Sequence, residues 1–130
     1  MMSSEQVLQK LSQLASYNTD IAAIWLYGSR ATGRARQDSD YDLAVAFHNF
    51  GLDPLSKFTR PQTLALDWAA ALELPEHLLS VVDINQVPIY LAYQVIDTGQ
   101  LIYNDGSPRA WQELSRINSL FEYQQRESQR

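Results

Sequence analysis

The chain has 130 residues, 45% of them apolar, with three Trp and a formal net charge of −5. That length holds one compact domain with a real core and excludes two ordinary domains. There is no Cys, which excludes disulfides and thiolate zinc sites and fits a reducing compartment. No apolar run approaches the ~20 residues of a membrane span. The opening residues Met1–Gln6 carry neither a basic region nor an apolar run, so no export signal is expected and the cytoplasm is the expected location. An acidic chain is a poor general binder of nucleic acid, because phosphate affinity needs clustered Lys and Arg. One local exception is the group Arg30, Arg34 and Arg36.

In chain order, Val7, Leu8, Leu11, Leu14 and Ala15 predict a helix over 4–17, with Ser3 or Ser4 as its cap. Residues 17–20 break that pattern. Ile21 to Tyr27 is an apolar run ended by Gly28 and reads as a buried strand. Ser29 to Ala35 reads as a turn entering a short helix. Tyr41 to Phe47 is a second strand, and His48 to Pro54 a loop. Arg60-Pro61 reads as a helix start, since Pro suits the first turn, and Leu64, Trp68, Ala71 and Leu72 mark one face. Leu78 to Ile84 is a third strand candidate. Pro88 opens a helix that Gly99 stops, and Gln100 to Asn104 is a short edge-strand candidate. From Pro108 to about Gln125, Trp111, Leu114, Ile117, Leu120 and Phe121 predict an amphipathic helix, with 122–130 turning polar and fraying. Whether its aromatic face meets the core or a partner is open. The expectation is a single α/β (α+β) domain over 1–130, a small sheet flanked by helices.

The chemistry concentrates at one stretch. Gly28-Ser29 follows a strand directly, and ten residues later comes Asp40-Tyr41-Asp42 at the head of the next strand. Side chains at i and i+2 of an extended segment share a face, roughly 6–7 Å apart. Two carboxylates so placed can bracket hard cations such as Mg²⁺, which prefer oxygen and leave room for phosphates. Two-metal phosphoryl transfer spaces its ions ~3.5–4 Å apart and usually draws a third carboxylate from elsewhere. Asp83, at the end of Ser80-Val81-Val82-Asp83, is the candidate; the competing reading is a strand-end residue that caps the next loop. Gly28 permits close backbone approach, Ser29 offers a hydroxyl to a phosphate oxygen, and Arg30 adds a cation. Arg34 and Arg36 are either further phosphate partners or solvated loop cations. Asp38-Ser39-Asp40 also suits a turn, but a turn explains Asp42 poorly, since that residue enters the Leu43-Ala44-Val45 strand.

Gly28-Ser29, ten residues, then Asp40-x-Asp42 resembles the signature of the polymerase-β-type nucleotidyltransferase superfamily. The string GSRATGRARQDSDYDLAV, with VVDIN and PIYLAYQVIDTGQLIYN beyond it, resembles its smallest members, the MNT antitoxins of HEPN/MNT (HepT–MntA) toxin–antitoxin modules. The resemblance implies the minimal nucleotidyltransferase fold, Ser29 at the triphosphate, and Asp40, Asp42 and Asp83 at the metals. It also implies ATP as substrate, Mg²⁺ as cofactor and a HEPN ribonuclease toxin as partner, with AMP transferred to a Tyr of that toxin. Two rivals remain. One is a silent antitoxin that masks its toxin by binding; the intact motif speaks against it. The other is transfer to a small molecule, for which such enzymes generally carry an added helical domain that this chain lacks.

Overall fold

The computed structural model describes residues 2–130. Four helices and a four-stranded mixed sheet follow the expected order: α1 (Ser4–Ser16), β1 (Ile21–Tyr27), β2 (Tyr41–Phe47), α2 (Pro54–Ala71), β3 (Leu79–Asp83), α3 (Ile89–Thr98), β4 (Gln100–Asn104) and α4 (Arg109–Ser128). The strands lie in the order β3-β2-β1-β4. β1 pairs antiparallel with β2 and β4, while β2 and β3 are parallel, joined by the crossover through α2.

Alternation along the strands sorts the side chains onto two faces. On one, Ile24, Leu26, Leu43, Val45, Leu79 and Val81 meet α1 and α2 through Val7, Leu11, Leu64 and Trp68. On the other, Ala23, Trp25, Ala44 and Ala46 meet α3 and α4 through Ala92, Val95 and Ile117. The central strands are therefore buried on both sides and read as unbroken apolar runs. Among the described residues no helix is long and apolar enough to cross a membrane.

Local signals account for most boundaries. Ser3 caps α1: its hydroxyl accepts the Gln6 N–H at 3.2 Å, and its own N–H donates to Gln6 Oε1 at 2.8 Å. α2 begins at Pro54, not at Arg60-Pro61. Asp53 accepts the Ser56 N–H at 3.2 Å and Pro54 fills the first turn, which is a complete helix start. Pro61 is then buried inside the helix, at the cost of the bond its nitrogen would have given to Lys57. The short helix expected over 29–35 is only a 3₁₀ turn at Gly28–Arg30. α4 remains helical to Ser128, through the polar segment expected to fray.

Gly99 ends α3 with an ordinary φ of −79°. Space, not conformation, demands glycine there: a Cβ would strike the Val95 carbonyl oxygen and lie 2.9 Å from that of Leu26. Gly99→Ala should therefore push α3 off β1 and cost ~1–3 kcal/mol, read as a lower urea midpoint with unchanged slope. An unaltered midpoint would contradict this packing.

α4 is clamped by ions that a sequence would assign to solvent. Glu113 is 3% exposed and accepts from Arg109 at 2.8 Å, Asn85 at 2.8 Å and Arg116 at 2.6 Å. Arg109 also donates to the Phe47 carbonyl at 2.8 Å, tying the helix to the end of β2. Burial works to raise the Glu113 pKa, but the hydrogen bonds from Asn85, Arg109 and Arg116 outweigh it and the net shift is downward. A depressed carboxylate stabilises the fold above its ordinary value near 4.5, and that contribution is lost as pH falls through the lower folded value. The melting-temperature gap between the native chain and Glu113→Gln should be widest at neutral pH and close in acid. A gap independent of pH would contradict it.

Candidate active site

β1 ends at Tyr27, and Gly28 turns the chain with a φ of +74°. A Cβ on residue 28 would fall 2.6 Å from Asp42 Oδ2, so only glycine lets the turn close against that carboxylate. Register then aligns three strands at this end of the sheet: Tyr27 stands opposite Asp42, and Asp42 opposite Ser80. Alternation places all three on the α3/α4 face, in line with Ala44 and Val82. Asp40 precedes Asp42 by two residues and is exposed.

The charge here is held at a cost. Burial first, and then the neighbouring Asp40, raise the Asp42 pKa. Burial and Asp42 together push the Tyr27 phenol up to about 12. A half-buried carboxylate beside a second one is poised to gain from a cation. Next to Gly28 opens a cavity of about 380 Å³ lined by Gly28, Ser29, Thr32, Arg34, Gln94 and Thr98. Gln94 and Thr98 lie one turn apart on α3, and the Thr98 hydroxyl donates to the Gln94 carbonyl at 3.0 Å. The arrangement joins a hydroxyl, a guanidinium and amide groups on one side to paired carboxylates on the other. Hard oxygen donors of this kind suit a divalent cation such as Mg²⁺.

Two expected members stand elsewhere. Arg30 turns to the opposite face: its guanidinium lies 3.9 Å over the Tyr41 ring and donates to the carbonyls of Ser39 at 2.9 Å and Gln37 at 3.2 Å. It braces the loop that delivers Asp40, and Arg34 is the cation at the cavity instead. Asp83 is 5% exposed and pairs Val45, three residues along from the Asp42–Ser80 pair. Three is odd, so Asp83 shares the face of Leu79 and Val81, roughly 10 Å along the sheet from the level of Asp42. There its Oδ2 lies 3.4 Å from Arg60 Nη2, and its Oδ1 accepts the Asn85 N–H at 2.9 Å. The loop-capping reading fits this geometry and the metal reading does not. Among the described residues no group of three or more His, Asp and Glu could hold a metal ion.

Tyr27, Gln94 and Thr98 stand at the site although the motif does not point to them. The α3 pair carries a weak signal, two polar residues at i and i+4 on a largely apolar helix that also holds Asp97. Tyr27 carries none.

A family model described as "Polymerase beta, Nucleotidyltransferase" matches residues 9–107. No curated protein matches the chain. Among solved structures, a chain from a toxin–antitoxin crystal structure with AMP-PNP superposes with a TM-score of 0.69 at 24% identity, covering 98% of this chain and 94% of that one. A chain from the MntA–HepT toxin–antitoxin gives 0.68 at 23%, covering 97% and 93%. A chain from the tri-AMPylated Shewanella oneidensis HEPN toxin in complex with MNT antitoxin gives 0.70 at 21%, covering 98% and 93%. At these identities the likeness is one of fold, and it bears out the minimal nucleotidyltransferase architecture expected from the motif. With the family match spanning most of its length, the chain belongs to the polymerase-β nucleotidyltransferase family.

Proposed function

We propose that this chain transfers a nucleoside monophosphate, AMP from ATP, to a tyrosine hydroxyl of a HEPN-type toxin, and so acts as its cytoplasmic antitoxin. The observation that carries the reading is Asp42 seated against Gly28, beside a cavity that presents Ser29 and Arg34. Ser29 donates to a phosphate oxygen, and Arg34 neutralises the triphosphate. Asp40 and Asp42 would hold Mg²⁺, which supplies charge neutralisation at the reacting phosphate. The acceptor oxygen forms a bond to the α-phosphorus, the α–β bridging bond breaks, and pyrophosphate leaves. The hydroxyl proton passes to solvent or to the exposed Asp40. The partner reading is supported by the toxin–antitoxin complexes whose chains share its fold.

One observation favours the rival masking role. Asp83, expected to complete the carboxylate set, is bound to Arg60 on the other face. A chain that had lost transfer could still neutralise a toxin by covering it. The two readings separate when the chain is incubated with α-labelled ATP, Mg²⁺ and the product of its neighbouring gene. Label on the partner is the expected result; a partner bound tightly but never labelled would leave masking as the function. Ser29→Ala should cut the rate by about 10–100-fold while the melting temperature holds. Equal losses of both would count against a phosphate role for Ser29.

A further inference from the structure

Across the sheet from Asp42, on the same face and in direct register, stands Ser80. We infer that Ser80 occupies the third-ligand position of this site, so that the chain binds one divalent ion firmly with its nucleotide and holds no second ion through its own side chains. The inference rests on the reading of the site as a nucleotidyltransferase centre.

The geometry is set by the parallel pairing. Neighbouring strands run about 4.8 Å apart, so residue 80 is the position on β3 from which a side chain can reach the ions that Asp42 would hold. Residues 79 and 81 face the other way, into the α1/α2 core. Val82 lies one step deeper, beside Ala44. Asp83, though acidic, is on the wrong face and engaged by Arg60 and Asn85. Residue 80 is thus the one β3 position able to complete the set, and it carries a neutral hydroxyl. A serine hydroxyl is a weak ligand for Mg²⁺ or Mn²⁺ next to a carboxylate, and it adds no charge to offset a second dication. The site therefore carries two protein charges, enough for one ion and short for two.

The same register shows how the set would be completed. Ser80→Asp puts a carboxylate one strand from Asp42 on a half-buried, site-facing position, without disturbing Asp83 or its partner. The test counts Mn²⁺ bound per chain, by electron paramagnetic resonance of free Mn²⁺, in the presence of a non-hydrolysable ATP analogue. The native chain should bind one ion tightly, Ser80→Ala should match it, and Ser80→Asp should bind a second. Asp83→Asn should leave the count at one, which guards against a remote role for that residue. Two tight ions in the native chain, a loss of the ion in Ser80→Ala, or no gain in a folded Ser80→Asp (circular dichroism as the check) would each overturn the assignment. Failure of the parent reading looks different: no tight ion in the native chain, and none in Asp40→Asn/Asp42→Asn to compare with it.

Discussion

Asp83→Ala should destabilise the fold by about 3 kcal/mol and leave transfer per folded molecule unchanged. Breaking a buried ion pair by removing one partner costs roughly 3–5 kcal/mol, because the other charge is left without its counter-ion. Here the lower end applies. Arg60 keeps Asp20 at 3.0 Å and the Asn49 carbonyl at 2.9 Å, and its guanidinium still covers the Phe47 ring at 4.0 Å. The Asp83 carboxylate also accepts the Asn85 N–H, so alanine leaves that turn unsupported. Asp83→Asn keeps an acceptor for Asn85 and should lose less. Denaturant titration gives the stability, and single-turnover transfer normalised to folded protein gives the activity. A well-folded Asp83→Ala without transfer would return that residue to the catalytic set.

Asp42→Asn should do the reverse. Transfer should fall by on the order of 10³-fold, because the carboxylate nearest the phosphate turn no longer offsets the cation. Stability should hold or rise. Burial and Asp40 raise the Asp42 pKa, so its ionised form is penalised in the folded state above that value, and the penalty vanishes once acid protonates it. Any gain from Asp42→Asn should therefore be visible at neutral pH and absent in acid. Sites that hold charge against their surroundings are the places where function and stability pull apart. A variant that lost transfer only in proportion to its melting temperature would identify Asp42 as structural.

The fold was legible because its signals are local. A buried central strand needs an unbroken apolar run, and Ile21–Tyr27 and Tyr41–Phe47 are such runs. Gly28-Ser29 and Asp40-x-Asp42 were legible because short-range chain geometry fixes their faces: Asp42 is on β2 and Asp40 just before it, two residues apart, and Gly28 adjoins the strand that pairs with it. Asp83 was misread for a long-range reason. Its face depends on the register between β2 and β3, set by the α2 crossover and by the burial of Leu79 and Val81. One residue of register flips every side chain, and no local pattern reveals it. Arg30 failed similarly, since stacking on Tyr41 is a contact across a loop. Pro61 drew the helix start to itself, although Asp53-Pro54 carries the stronger cap. The Arg109–Glu113–Arg116 cluster carries no local signal of burial, because its partners, Asn85 and the Phe47 carbonyl, lie far off in sequence.

The central claim, that Asp40 and Asp42 direct nucleotidyl transfer to a protein partner, has a direct test. The chain and the product of its neighbouring gene are produced together, and the partner's intact mass is measured. With the native chain the partner should gain a whole number of AMP increments, mapped to tyrosine, and with Asp40→Asn/Asp42→Asn it should gain none while the complex still forms. A partner of unmodified mass in both, neutralised all the same, would contradict the account and make this nucleotidyltransferase fold a mask.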